Sequence, residues 1–229
     1  MSRSPVQLFA TCLGDLLFPD VVDDVVRLLA EAGYRVEFPP GQVCCGQPAF
    51  NAGHRRAARR VASTFARSFS RRAPIVTPSG SCAAFVKHRL PALLACEPFP
   101  IFEVSEFLKR QDAPIVPRNT GRRVAFHHSC HLVRELRVPP ATPEGLLELS
   151  GATVTSVTRP DLCCGFGGVF AVRQPEVSMA MADQKLAVPA PVDALVTADP
   201  GCLAHLRTRV EAVAGPPVVH IATALARGI

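Results

Sequence analysis

Eight of the nine cysteines recur with nearly the same spacing in the two halves of the sequence. In each half one cysteine precedes an adjacent cysteine pair, and another follows the pair. The intervening segments are 31 and 36 residues long in the first half and 32 and 37 in the second. Matching cysteines are therefore 118, 119 or 120 positions apart. The two sets are Cys12, Cys44, Cys45 and Cys82, and Cys130, Cys163, Cys164 and Cys202.

Thiolates are soft ligands, and sets of four suit either zinc or iron–sulfur clusters. Structural zinc sites usually take cysteines separated by about two to four residues, whereas these pairs are directly adjacent. Neighbouring side chains diverge, so both are difficult to close on one small tetrahedral ion. A cluster offers them separate iron atoms. The pattern favours two iron–sulfur sites of the 4Fe-4S type, cubane or non-cubane, bound by the eight cysteines. Cys96 has no counterpart and is expected to be a free thiol.

Both pairs continue into glycine, as Gly46 in the first half and Gly165 in the second. Glycine permits backbone conformations closed to other residues and lets the chain run close to a bulky group. Backbone N–H groups exposed there can donate hydrogen bonds to sulfur and tune its potential. Because both copies keep this glycine, we expect it to have a role at each site.

The composition of the 229-residue chain is that of a folded protein, with 48% apolar residues. No segment approaches the roughly 20 apolar residues of a membrane helix, and the N-terminus does not resemble a signal peptide. A cytoplasmic location is therefore expected, where thiols stay reduced and cysteines serve metal or redox chemistry. The net charge of +6 comes largely from arginine. Without a nucleic-acid-binding motif or interleaved aromatic residues, this charge predicts no nucleic-acid partner.

Hydrophobic periodicity predicts strands that alternate with helices, in the same order in both halves. Such alternation is typical of parallel sheets covered by helices. The predicted class is α/β, with two tandem pseudo-symmetric lobes at residues 1–112 and 121–229, joined near residues 111–121. Predicted strands cover residues 6–10, 35–38, 74–77, 101–104, 123–127, 153–158, 194–197 and 217–220. Predicted helices cover residues 20–32, 52–71, 83–95, 105–110, 143–149, 176–187, 203–213 and 221–226.

On this map the cysteines of each half follow three separate strands. Ligands of open α/β sheets gather beyond the carboxyl ends of the strands. Four thiols carried by three loops are therefore expected to converge at one edge of each sheet. The cysteine spacing alone does not require this convergence, so it is a second line of support for two metal sites.

These motifs resemble the CCG-domain (cysteine-rich) iron–sulfur proteins, over nearly the whole chain. The similarity is greatest to the CCG-domain component of the bacterial L-lactate-utilisation complex, and the B subunit of heterodisulfide reductase is a related member. The segments that carry the resemblance are Thr11-Cys12-Leu13, residues 43–51 (VCCGQPAFN), residues 78–82 (PSGSC), Ser129-Cys130-His131, residues 163–168 (CCGFGG) and Gly201-Cys202-Leu203.

The resemblance implies an iron–sulfur protein, an oxidoreductase component that transfers electrons in the oxidation of L-lactate to pyruvate. It would act with two other lactate-utilisation subunits, one of them ferredoxin-like. No residue pattern identifies a lactate pocket. Two alternatives stay open: a disulfide or quinone reductase subunit, and a zinc-stabilised binding module without a redox role.

The sequence departs from the heterodisulfide reductase relatives, in which a Cys-x-x-Cys element supplies a fifth thiol to each cluster. The positions three before the last cysteine of each set hold Ser79 and Asp199. A carboxylate can bind iron through oxygen, so Asp199 is expected to complete the second site. A serine hydroxyl more readily hydrogen-bonds, which predicts a more open first site. The alternative for Asp199 is that it caps the following helix.

Three histidines, His127, His128 and His131, surround Cys130 in the sequence. One of them is expected to donate a hydrogen bond to the cluster or to relay a proton near neutral pH. The alternative is that all three lie at a strand end with their polar atoms satisfied elsewhere.

Overall fold

The computed structural model describes residues 5–157 and 159–229. Its strands form two separate parallel sheets of four strands each. The first sheet contains β1 (Pro5–Leu8), β2 (Arg35–Glu37), β3 (Ile75–Thr77) and β4 (Ile101–Glu103). The second contains β5 (Arg123–His127), β6 (Thr153–Thr155), β7 (Ala194–Thr197) and β8 (Val218–His220). Thr158, at the end of a predicted strand, and residues 1–4 of the predicted first lobe lie outside the described residues.

Helices follow almost every strand and cover the sheets. In the first half they are α1 (Cys12–Leu17), α2 (Pro19–Glu31), α3 (Gln47–Asn51), α4 (Arg55–Ser68), α5 (Gly80–His88), α6 (Leu90–Leu94) and α7 (Val104–Arg110). In the second half they are α8 (Ala141–Leu149), α9 (Val169–Arg173), α10 (Pro175–Leu186), α11 (Pro200–Arg207) and α12 (Ile221–Arg227). A π-helical turn spans His131–Glu135 and a 3-10 turn spans Glu211–Val213. No helix of the described chain is long and apolar enough to cross a membrane.

The two halves have the same topology, which confirms the predicted α/β class and the pseudo-symmetry. The strand order is β2-β1-β3-β4 in one sheet and β6-β5-β7-β8 in the other. Central strands are buried throughout, as in β3 and β7, because helices cover both faces. All the strands of a parallel sheet end at the same edge, so the segments that follow β1, β2 and β3 meet there.

The lobes are joined by pairs of helices that the pseudo-two-fold relates. The last helix of each half packs on the first long helix of the other, α12 on α2 and α7 on α8. Nearer the strand ends, α5 packs on the π-helical turn and α1 on α11. At the first contact Arg227 reaches the fully buried carboxylate of Asp24, with 2.6 Å between Nε and Oδ1. Neither half covers its own core alone.

Equivalent residues at the ends of β4 and β8 cap the final helix of each half. Glu103 accepts hydrogen bonds from the backbone N–H and hydroxyl of Ser105 and starts α7. His220 accepts from the N–H of Ala222 through Nδ1 and starts α12. Its Nε2 therefore donates across the lobe interface to the Pro78 carbonyl, at 2.8 Å. The cap of α12 thus also connects the two halves.

Glu103 should make the stability of the fold depend on pH. Burial raises the pKa of Glu103 to about 8, against about 4.5 for an exposed carboxyl group, despite the hydrogen bonds from Ser105. Between these values the folded state retains a proton that the unfolded state has released, so stability falls as pH rises through this window. In Glu103→Gln, whose amide oxygen can still cap α7, the fall should be shallower by up to about 1.4 kcal/mol per pH unit. Urea unfolding between pH 5 and 8 measures this slope, with exposed Glu97→Gln as the control; equal slopes in Glu103→Gln and wild type would contradict the assignment.

Candidate metal centres

The first cysteine set converges at the carboxyl edge of the first sheet. Cys12 is the first residue of α1, the pair lies in the loop after β2, and Cys82 lies in the first turn of α5. The Sγ atoms of Cys45 and Cys82 are 3.7 Å apart. The thiols of Cys12 and Cys44 also interact directly. Thr11 and Ser79 cap the two helices by accepting the N–H groups of Gly14 and Cys82, and so fix where the outer cysteines begin.

The second set repeats this arrangement in the second lobe. Cys130 directly precedes the π-helical turn, its pair lies in the loop after β6, and Cys202 lies in the first turn of α11. The Sγ atoms of Cys164 and Cys202 are 3.2 Å apart. The thiol of Cys130 interacts with that of Cys163. The predicted convergence is therefore found in both halves, although the outer cysteines lie in helical first turns rather than in loops.

Gly46 and Gly165 turn the chain at each cysteine pair. Their φ angles are +99° and +94°, in the region that favours glycine. A Cβ atom on Gly165 would lie 2.4 Å from the Ser178 carbonyl oxygen, and one on Gly46 would lie 3.0 Å from that of Ala58. Each glycine N–H also lies 3.4 Å from the Sγ of the first cysteine of its pair. The backbone conformation that favours glycine and the N–H contact with sulfur are thus present at both positions.

Neighbouring groups lower the pKa of one thiol in each set. Contacts with Cys12 and Cys45, and the Gly46 N–H, lower the pKa of Cys44 to about 3. The equivalent contacts, from Cys130 first, lower the pKa of Cys163 to about 2. The pKa values of the neighbouring thiols are raised, that of Cys12 by Cys44 and that of Cys130 by Cys163. The thiolate is the metal-binding form, so the lowered pKa values of Cys44 and Cys163 favour metal binding at each set.

Both sites open onto one cavity between the lobes, with a volume of about 370 Å³. All eight recurring cysteines line it, together with Phe166, Val169 and Val172. Cys96 does not line it. A single ion bound by four thiolates fills the space between them, so a cavity of this size lined by two thiol sets fits larger groups. The eight thiols are the main donors at the cavity; His131 and Asp199 also line it, and His127 lies close to Cys164 and Cys202. Such a sulfur-rich set is the chemistry of thiolate metal centres.

One of the two short sulfur–sulfur distances is also that of thiolates on one metal ion, whereas the 3.2 Å between Cys164 and Cys202 is shorter. A tetrahedral zinc ion with Zn–S bonds of about 2.3 Å separates its thiolates by about 3.8 Å. The distance of 3.7 Å between Cys45 and Cys82 matches this value. Zinc thus remains the alternative for which the geometry offers a specific argument. The adjacent pairs and the shared cavity favour clusters.

Ser79 and Asp199, each three residues before the last cysteine of its set, are hydrogen-bonded to each other across the lobe interface. Asp199 caps α11 by accepting the Gly201 N–H at 2.9 Å through Oδ1. Its Oδ2 accepts the Ser81 N–H at 2.8 Å and the Ser79 hydroxyl at 3.2 Å, both from the other half of the chain. The carboxylate is 4% exposed. It therefore has the capping role considered as the alternative, and iron ligation by Asp199 stays a prediction.

The three histidines near Cys130 have different surroundings. His128 pairs through Nε2 with Glu144, at 2.9 Å. His131 places Nδ1 3.6 Å from the Cys130 Sγ and Nε2 3.3 Å from Gln47 of the other lobe. His127 is fully buried, and a ring nitrogen lies within 4.8 Å of the Sγ atoms of Cys164 and Cys202. Burial, followed by the charge of Lys185, lowers the pKa of His127 to about 3, so its imidazole is neutral at neutral pH.

The chain is similar in sequence to a protein family and to known proteins over most of its length. The model of the CCG family, described as a cysteine-rich domain, matches residues 6–87 and 124–207. Lactate utilization protein A 2 of Bacillus cereus (strain Q1) is 33% identical over 242 aligned positions, covering 98% of each chain. Lactate utilization protein A of Halalkalibacterium halodurans is 35% identical over 96% of each chain. Among solved structures, glutamate racemase RacE1 of Bacillus anthracis aligns at a TM-score of 0.42 and 14% identity, over 98% of this chain and 79% of the racemase.

Proposed function

The chain belongs to the CCG cysteine-rich domain family, and from that premise we propose that it is an iron–sulfur electron-transfer subunit of a complex that oxidises L-lactate to pyruvate. The observation that carries the proposal is the convergence of eight cysteines, four from each half, on one cavity between the lobes. Cys12, Cys44, Cys45 and Cys82 would hold one cluster, and Cys130, Cys163, Cys164 and Cys202 the other. Iron–sulfur clusters, when bound, accept and release single electrons.

The residues around the cavity have separate tasks in this proposal. The cysteines supply thiolates, and the N–H groups of Gly46 and Gly165 donate to sulfur, which stabilises negative charge there. Asp199 holds the first turns of α5 and α11 together through its hydrogen bonds to Ser81 and Gly201. Apolar side chains such as Val169 and Val172 line the same cavity as the two sites. Lactate itself is assigned to no residue of this chain.

We assign the two lobes to residues 1–112 and 121–229, each with one cluster. The complex would contain two further lactate-utilisation subunits, one of them ferredoxin-like, and would lie in the cytoplasm, where its thiols remain reduced. A disulfide or quinone reductase subunit is the alternative within redox chemistry. A zinc-stabilised binding module is the alternative from a different class.

Metal analysis of anaerobically purified protein tests the cofactor. We expect a brown protein with iron and acid-labile sulfide at two sites, because four thiolates at each site suit a 4Fe-4S cluster. Iron, sulfide and zinc are measured on the same sample. Stoichiometric zinc with negligible iron would reject the clusters and support the binding module.

Reduction by substrate separates the redox alternatives. With the two partner subunits present, L-lactate should reduce the clusters, as monitored by loss of visible absorbance. The isolated chain should not respond, because nothing in it is assigned to bind lactate. If lactate has no effect on the complex while a dithiol or a quinol changes the visible absorbance of the clusters, the alternative reductase function is favoured.

A further inference from the structure

His127 is a buried histidine. Within the described ranges 5–157 and 159–229, no residue forms a hydrogen bond with either of its ring nitrogens. Its side chain is fully buried. A neutral imidazole has one N–H and one lone pair, and an unpaired buried N–H has a substantial free-energy cost. Buried polar groups in folded proteins almost always have a partner. The partner of this imidazole is therefore expected to be a group bound in the site.

The position of the ring indicates which group that is. His127 ends β5 at the edge where the second cysteine set converges, and it pairs in register with Thr197 of β7. One ring nitrogen and the Sγ atoms of Cys164 and Cys202 all lie within 4.8 Å of one another. A cluster held by these two cysteines would bring sulfur, as thiolate or sulfide, next to the imidazole.

The equivalent position in the first lobe cannot do the same. Phe9 and His127 each lie three residues before the first cysteine of their set. Phe9 is buried against Phe65 and Phe69, with ring centroids 5.0 and 5.4 Å away. A phenyl ring donates no hydrogen bond to sulfur. Besides the difference between Ser79 and Asp199, the two sites thus differ in a buried side chain that can donate to sulfur at the second site only.

We propose that His127 donates its N–H to a sulfur atom of the second cluster and so raises the reduction potential of that cluster. The proposal rests on the proposed iron–sulfur function. Reduction adds negative charge to a cluster, and a hydrogen-bond donor at sulfur stabilises the reduced state more than the oxidised state. Donation, rather than iron ligation through the lone pair, is the arrangement that pairs the N–H.

The test is a redox titration of anaerobically purified protein, followed by electron paramagnetic resonance. His127→Phe gives the second site the residue type of the first, and it should lower the potential of one cluster only. The iron content should not change, because no ligand is lost. His127→Gln keeps an N–H donor and should retain most of the wild-type potential. The matched control is His128→Gln, because His128 is paired with Glu144 rather than with the site.

Two further measurements decide which site and which bond are involved. The shift should persist in a Cys82→Ala background and be absent in a Cys202→Ala background. Histidine labelled with ¹⁵N should give a weak nitrogen coupling in wild type that His127→Phe removes. Unchanged potentials in His127→Phe, or a strong coupling typical of an iron-bound nitrogen, would overturn the proposal. A wild-type protein without iron would instead reject the proposed function, so the two failures are distinguishable. If His127→Phe does not fold, the nitrogen coupling of the labelled wild-type protein still decides between donation to sulfur and iron ligation, and His127→Gln, which lacks the labelled ring, should remove it.

Discussion

Cys82→Ala and Cys202→Ala should each lose about half of the bound iron, because each removes one of four thiolates from one site and none from the other. The two cysteines occupy equivalent first turns, in α5 and α11. Each contacts the second cysteine of its own pair, Cys45 or Cys164. Iron and sulfide analysis of anaerobically purified variants measures the loss. The remaining cluster should keep its wild-type spectrum.

Cys96→Ser is the matched control for this experiment. Cys96 is half-buried just after α6 and does not line the cavity, so its replacement should leave the iron content unchanged. Equal iron loss in all three variants would contradict the assignment of four cysteines to each site. Complete loss of iron in one alanine variant would show that the unaltered site cannot keep its cluster once the other site has lost a ligand.

Asp199→Ala should lower the free energy of unfolding by about 2–4 kcal/mol, since it removes a helix cap and leaves buried N–H groups unpaired. The groups that lose their acceptor are the N–H of Gly201 in one lobe, and the N–H of Ser81 and the hydroxyl of Ser79 in the other. Because Ser81 and Gly201 directly precede Cys82 and Cys202, the spectra of both clusters should change. Urea unfolding and visible circular dichroism measure the two effects.

Ser79→Ala is the comparison for Asp199→Ala. It removes only the hydroxyl, which donates to Asp199 and accepts the Cys82 N–H, so a loss of about 1 kcal/mol is expected. Iron ligation by Asp199 makes a different prediction. It requires a change confined to the second cluster in Asp199→Ala, with the first cluster unaltered. That result would replace the bridging role with the ligand role.

The cysteine spacing was sufficient to predict two halves of the same fold, because it indicates a duplication and each copy must fold alike. The alternation of strand and helix then determines where the cysteines lie, since parallel strands end at one edge. Both predictions depend on patterns along the chain. The strand and helix order, the two sheets and the convergence of each thiol set could therefore be derived from the sequence.

Short or interrupted helices were harder to predict from the sequence. The predicted helix over residues 83–95 is divided into α5 and α6, because Pro91 has no N–H to donate to an α-helix continued from α5. The predicted helix over residues 52–71 begins only at Arg55, after Gly53 takes a positive φ of 85°. Helices as short as α1 and α9 contain too few residues to show a period.

Contacts between the lobes could not be predicted at all from the sequence. The bond between Ser79 and Asp199 joins residues 120 positions apart, and it depends on how the two sheets are placed relative to each other. His127 was recognised as one of three histidines near a cysteine, but its distinction from His128 and His131 depends on burial and partners. The available signal was its place at the end of a predicted strand.

The packing of helices from one half on those of the other has a consequence for the origin of the chain. Since α12 covers α2 and α7 covers α8, a half-length polypeptide would expose an apolar surface that only a second copy could cover. Such a copy would meet its twin through the same surface on both sides, as in an isologous dimer. The present chain thus has the form of a homodimer made permanent by gene duplication and fusion. Once joined, the halves could diverge in sequence. One half could then carry a residue that the other lacks, as with His127 against Phe9 and Asp199 against Ser79.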